Sequence, residues 1–76
     1  MKSLNLLLDS IEKIKDFENI VSGLDGEVDL VSGRYLVDAK SIMGIFSLDL
    51  TKAVRLDIHD DQVFPLAKEK LSSFVV

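Results

Sequence analysis

The sequence predicts an α+β fold, an open-faced β-sandwich in which a four-stranded antiparallel sheet carries three helices on one face, in the order β-α-β-β-α-β-α. Three observations predict it. Apolar residues recur with a period of two in four short segments, and every three or four residues in the segments between them. The only tight connection is a turn signal at Ser32-Gly33, and strands alternating with helices around a hairpin imply an antiparallel sheet with its helices segregated to one face. At 76 residues the chain is near the lower size limit for a buried core, so residues 1–76 are read as one domain.

Each element has its own signal. Leu4, Leu6 and Leu8 alternate with Ser3, Asn5 and Leu7, the pattern of a half-buried first strand. Asp9-Ser10 supplies a helix start, with Asp9 and Glu12 at capping-box spacing. Ile11, Ile14, Phe17, Ile20 and Val21 form one apolar stripe, with Lys13, Lys15, Asp16 and Glu18 on the wet side and Gly23 as the stop. The run Glu27–Val31 is the second strand, and Arg34–Ala39 is its return across the turn. A short helix follows Ser41, and Leu48–Thr51 leads out of it. Ala53–His59 is the cleanest alternation in the chain and predicts the fourth strand. Asp60-Asp61 is read as the cap of a last helix with Pro65 in its first turn, where a missing N–H costs nothing. Its periodic positions are Val63, Leu66, Ala67, Lys70, Leu71 and Phe74. Val28, Leu30, Val54, Leu56 and Ile58 are expected to form the core with Ile14, Phe17 and Leu66.

Composition excludes several classes. Nearly half the residues, 47%, are hydrophobic and spread along the chain, which a disordered segment would not show. There is no cysteine, so disulfides and thiolate metal sites are impossible. The net charge is −4 and the basic residues are scattered, which disfavours direct contact with a nucleic-acid backbone. No apolar run approaches the ~20 residues of a membrane span. The Met1-Lys2-Ser3-Leu4 start, whose apolar run ends at Asp9, does not read as a signal peptide. A cytoplasmic protein is expected, with no cofactor and no metal.

The most informative stretch is Val37–Leu48. Ser41 can cap the exposed N–H groups of a short helix, yet Ile42, Met43, Ile45 and Phe46 behind it are too many apolar groups for one face of that helix to bury. Ile42 and Ile45 cannot both face away from the sheet, which leaves Met43 and Phe46 as the surface pair. The block resembles the regulatory-serine segment of the HPr family, the small phosphocarrier proteins of the bacterial sugar phosphotransferase system. Lys40-Ser41-Ile42-Met43-Gly44 spells that family's Lys-Ser-Ile-Met-Gly run without a mismatch. The HPr-like element order also covers essentially the whole chain.

The resemblance implies a role for each of these residues. The family's matching serine is phosphorylated by a bifunctional kinase/phosphorylase, so Ser41 is the expected site of regulatory phosphorylation. The family docks its partners on the exposed apolar side of this helix, so Lys40, Ile42, Met43 and Phe46 are the expected partner-binding residues. The implied partners are proteins: phosphotransferase-system components, the serine kinase/phosphorylase or a transcriptional repressor.

One hallmark is missing. HPr proteins carry phosphate on a histidine at the start of the first helix, where the helix N-terminus and a following arginine hold the phosphoryl charge. Spacing from Ser41 places Ser10 at that position, with Glu12 and Lys13 where the family has arginine and proline. Glu12 would repel a phosphoryl group, and a serine hydroxyl without a base is a weak nucleophile. Ser10 is therefore read as a cap. His59, the only histidine, is either a displaced acceptor, a member of a metal site with Asp57 and Asp61, or a solvated residue at a strand end beside Arg55 and Asp57. One histidine without a second His or Cys is poor evidence for a metal. Leu7, Val31 and Leu36 are expected on the outer face of the sheet, where they could form a weak dimer face or a strand-exchange site. The reading is a non-catalytic, HPr-like regulatory or interaction domain. The alternatives are a phosphocarrier with a non-standard acceptor and a structural or oligomerising domain.

Overall fold

The computed structural model describes all 76 residues. The elements are β1 (Lys2–Leu6), α1 (Ile11–Ser22), β2 (Val28–Ser32), β3 (Tyr35–Asp38), α2 (Ile42–Phe46), β4 (Val54–Ile58) and α3 (Phe64–Lys70), closed by a 3₁₀ turn over Ser72–Phe74. The four strands form one antiparallel sheet in the order β1-β4-β2-β3. This is the expected α+β architecture. No helix is long and apolar enough to cross a membrane.

Register explains the core. Leu4 lies opposite Leu56, Leu56 opposite Leu30, and Leu30 opposite Val37, so one apolar row crosses all four strands on the inner face. Val28, Leu30, Val54, Leu56 and Ile58 are buried there with Ile14 and Phe17, as expected. Leu66 is not: it is exposed, and Ala67, Leu71 and Phe74 carry the buried stripe of the last segment. Ile11 is exposed as well, so the α1 stripe starts at Ile14.

The helix starts match expectation in part: Ser10 is the cap it is read to be, while the carboxylates expected to cap do not. Ser10, not Asp9, caps α1, accepting from the Lys13 N–H at 3.2 Å, while Asp9 pairs with Lys13 Nζ at 3.0 Å. Asp9 and Glu12 therefore form no capping box. No side chain caps α3: Asp60 instead accepts from the Gln62 N–H at 2.9 Å, Asp61 pairs with the amino group of Met1, and Pro65 sits in the first turn as expected. Gly23 ends α1 with a right-handed backbone, and Gly26 supplies the left-handed turn into β2. At the hairpin, Gly33 takes positive φ and Arg34 does not, the pattern of a type II′ turn.

The first strand stops at Leu6, so Leu7 lies beyond it and shares no outer strand face with Val31 and Leu36. Those two are cross-strand neighbours. The C-terminus covers the Asn5–Leu7 end of the β1 edge: Leu7 N–H donates to Phe74 O at 2.9 Å and Val76 N–H to Asn5 O at 3.0 Å.

On the outer face, Asp57 is only 3% exposed. Arg55 donates to it twice, from Nε at 2.8 Å and Nη2 at 3.1 Å, and Ser3 Oγ donates at 2.7 Å. The Arg55 hydrogen bond holds the Asp57 carboxyl below the usual carboxylate range, against the opposing effect of burial. Because the folded-state value lies below the unfolded one, this stabilisation is fully present above about pH 4. It is lost as pH falls through the depressed value. Urea titrations from pH 7 downward are expected to show this acid limb. Asp57→Asn is expected to lower stability at pH 7 by about 1–3 kcal/mol and to flatten the limb.

Candidate functional site

Helix α2 is five residues long, too short to stand by itself in water, and its surroundings hold it. Ser41 Oγ accepts from the Gly44 N–H at 3.2 Å and Ser41 O from the Ile45 N–H at 3.0 Å, satisfying donors of the first turn. At the other end Ser47 Oγ donates to Gly44 O at 2.6 Å. Lys40 is tied at both ends: its N–H donates to Asp38 Oδ1 at 2.9 Å and its Nζ to Leu24 O at 2.6 Å. Gly44 lets the helix settle on β3, since a Cβ there would lie 3.2 Å from Val37 Cβ and 3.4 Å from Asp38 O. Ile45 is fully buried beneath.

Three residues of the Lys40–Gly44 run therefore have local structural roles, as tether, cap and close-approach glycine. The remaining two do not. Ile42 is 40% exposed and Met43 78%, and Phe46 one turn on is 52% exposed. Ile45 takes the core position, which leaves Ile42 in the surface group beside Met43 and Phe46. This is an apolar patch on a secured helix, with the adaptable thioether of Met43 its most open member.

Ser10 stands at the α1 N-terminus beside a shallow cleft formed by Leu8, Ile11, Ile14 and Leu50, with Asp9 and Thr51 at its rim. Spacing puts Ile11 in the helix stripe, yet its side chain lines this cleft. The signal was there: with Ser10 as the cap, Ile11 becomes the first helical residue, at the end of the stripe. Ser10 has no base at hand, because Asp9 is paired with Lys13, whose hydrogen bond lowers the Asp9 pKa. Asp49, on the loop after α2, accepts from both the N–H and the hydroxyl of Thr51. The hydroxyl bond is the main reason its carboxyl also lies below the usual range.

His59 is not near this helix end. Its Nε2 lies 2.7 Å from Asp29 Oδ2, with the strand-alternated Arg55 and Asp57 on the outer face of the sheet. Asp57, His59 and Asp61 do not converge on one point: the first binds Arg55 and Ser3, the second Asp29 and the third the amino terminus.

No protein-family model and no curated protein matches the chain. Among solved structures it is similar to HPr-C-His from Thermoanaerobacter tengcongensis, with a TM-score of 0.80, 23% sequence identity, and coverage of 99% of this chain and 91% of that one. The chain has an HPr-like fold. That is the architecture the element order implied, and the likeness extends over nearly the full length of both chains.

Truncations separate surface from support. Ile45→Ala is expected to cost about 2–5 kcal/mol of unfolding free energy, and the half-exposed Phe46→Ala under about 1 kcal/mol. Ser41→Ala is expected to cost about 1 kcal/mol, and Ser41→Asp, which preserves an N-cap acceptor, much less. Chemical denaturation of the four variants checks all of these.

Proposed function

We propose that the chain is a non-catalytic regulatory and protein-interaction domain related to the phosphoenolpyruvate-dependent sugar phosphotransferase system. Ser41 is its point of phosphorylation, and Ile42, Met43 and Phe46, flanked by Lys40, are its docking residues. The observation that carries this reading is the division within the Lys40–Gly44 run. Its polar and glycine positions are used by the fold, while Met43 and its apolar neighbours stand open to solvent. A phosphate on Ser41 adds close to two negative charges at the rim of an apolar patch. That alters what can dock there, and the N-terminal end of a helix tolerates the charge.

Two further features support a role other than phosphate carrier. Ser10, Glu12 and Lys13 stand where the family's histidine, arginine and proline are expected, and the acidic Glu12 would repel a phosphoryl group that the arginine would hold. The single histidine is engaged with Asp29 across the sheet.

Incubation with an HPr-type serine kinase and ATP is expected to add one phosphate, located on Ser41 by mass spectrometry. Met43→Ala is expected to weaken kinase binding about tenfold, the scale of one well-buried contact residue, while His59→Ala leaves it unchanged. A chain that stays unmodified by that kinase refutes the regulatory reading. Incubation with phosphoenolpyruvate and the family's first enzyme is expected to leave no acid-labile phosphate, and its appearance on His59 would restore the carrier reading.

A further inference from the structure

The sheet has two edges, and only one of them carries a covering segment. The C-terminal segment covers the Asn5–Leu7 end of the β1 edge, through Leu7 to Phe74 and Val76 to Asn5. Along β3 no further strand is paired, and its register with β2 is regular from Asp29–Asp38 to Ser32–Tyr35, without a bulge or a proline. Tyr35 is 70% exposed and Leu36 63%. A regular, apolar, uncovered edge is a template for another strand.

The hydrogen-bonding phase of this edge is determined. Ala39 N–H donates to Val28 O at 2.9 Å, so Val37–Leu30 and Tyr35–Ser32 are the other hydrogen-bonded pairs with β2. The amides of Leu36 and Asp38 therefore point away from the sheet, together with the Leu36 carbonyl. An antiparallel strand added here pairs with even-numbered positions. A second copy of β3 can satisfy that phase in three central registers, with Tyr35, Leu36 or Val37 opposite itself. With Tyr35 central, Arg34 faces Leu36 and no charge is matched. With Val37 central, Arg34 faces Lys40. With Leu36 central, Arg34 faces Asp38 of the partner subunit, and the match occurs twice by symmetry.

Both charges lack a counter-ion within the chain. Arg34 makes no ion pair, and Asp38 lies opposite Asp29 in β2 with only the Lys40 backbone N–H as donor. Like charges directly opposed across strands are unfavourable, and a guanidinium at the open edge relieves that pair. We propose that β3 is a self-association edge. Two copies pair antiparallel about a two-fold at Leu36, with Arg34 of each against Asp38 of the other, joining two four-stranded sheets into one.

Sedimentation velocity at low salt, from about 10 μM to about 1 mM protein, is expected to show a monomer–dimer equilibrium that shifts toward monomer as salt rises. Arg34→Asp and Asp38→Arg are each expected to weaken it at least about tenfold, because two attractive pairs become repulsive. Mixing the two variants in equal amounts is expected to restore association, since each then faces the opposite charge. Leu36→Pro removes the central N–H, which β2 does not use, and an edge strand tolerates proline at such a position. It is expected to abolish association with the far-UV circular dichroism unchanged, and it keeps the test open if Asp38→Arg fails to fold. A protein that is monomeric throughout the range, or a dimer indifferent to both Arg34→Asp and Leu36→Pro, overturns the proposal.

Discussion

Strand β4 is the element on which the rest of the sheet depends. It is the last strand in the chain, yet it lies between β1 and β2, pairing with β1 along its full length and with β2 from Arg55 to Ile58. Without it the chain holds one isolated strand and one hairpin, neither stable in water. Its inner residues are buried in one core with the helices: Leu56 lies between Leu4 and Leu30, Val54 faces Leu6, and Ile58 faces Val28. The cost is kinetic. Leu4 and Leu56 pair across most of the length of the chain, and contacts that distant slow folding because the loop between them must be closed first.

The outer face of the same strand solves a different problem. An open-faced sheet has no second layer, so its free side is stabilised by charge pairs in place of apolar packing. Asp57, Asp29 and Asp38 fall in one row across three strands, an arrangement of like charges that needs cations. The Arg55 guanidinium and the Ser3 hydroxyl donate to the first, the second shares a hydrogen bond with His59, and the third stands at the edge with a single backbone donor. Electrostatics and edge geometry thus converge on β3.

Helix α2 shows how a small domain can present an apolar surface without losing its fold. Its supports come from sequence neighbours and from one distant carbonyl, Leu24, through Lys40. Burial of Ile45 and the close seat of Gly44 on Val37 anchor the inner side, so the outer side is free to carry Ile42, Met43 and Phe46. Ser41 caps the helix through its hydroxyl, the group proposed above as the point of phosphorylation.

Much of this was legible in the residues. The alternation of Ala53–His59, the Ile14-Phe17-Val21 stripe, the turn at Gly33 and the Ser41 cap are local signals, because backbone period and capping act over a few residues. From them come the elements, their antiparallel sense and the short helix with its apolar surplus. Other features were decided only by what packs against what. Leu66 and Ile11 keep stripe spacing yet lie exposed, since burial needs a surface opposite. Asp57 reads as a wet-face residue, yet Arg55 and Ser3 enclose it across a strand pairing that spans nearly the whole chain. The strand order β1-β4-β2-β3 is likewise tertiary, and with it the identity of the open edge. By itself the sequence determined which segments would be strands and helices and which surface α2 would show. The fold alone decided which apolar residues found cover and which carboxylates found cations, because both depend on partners that no local spacing encodes.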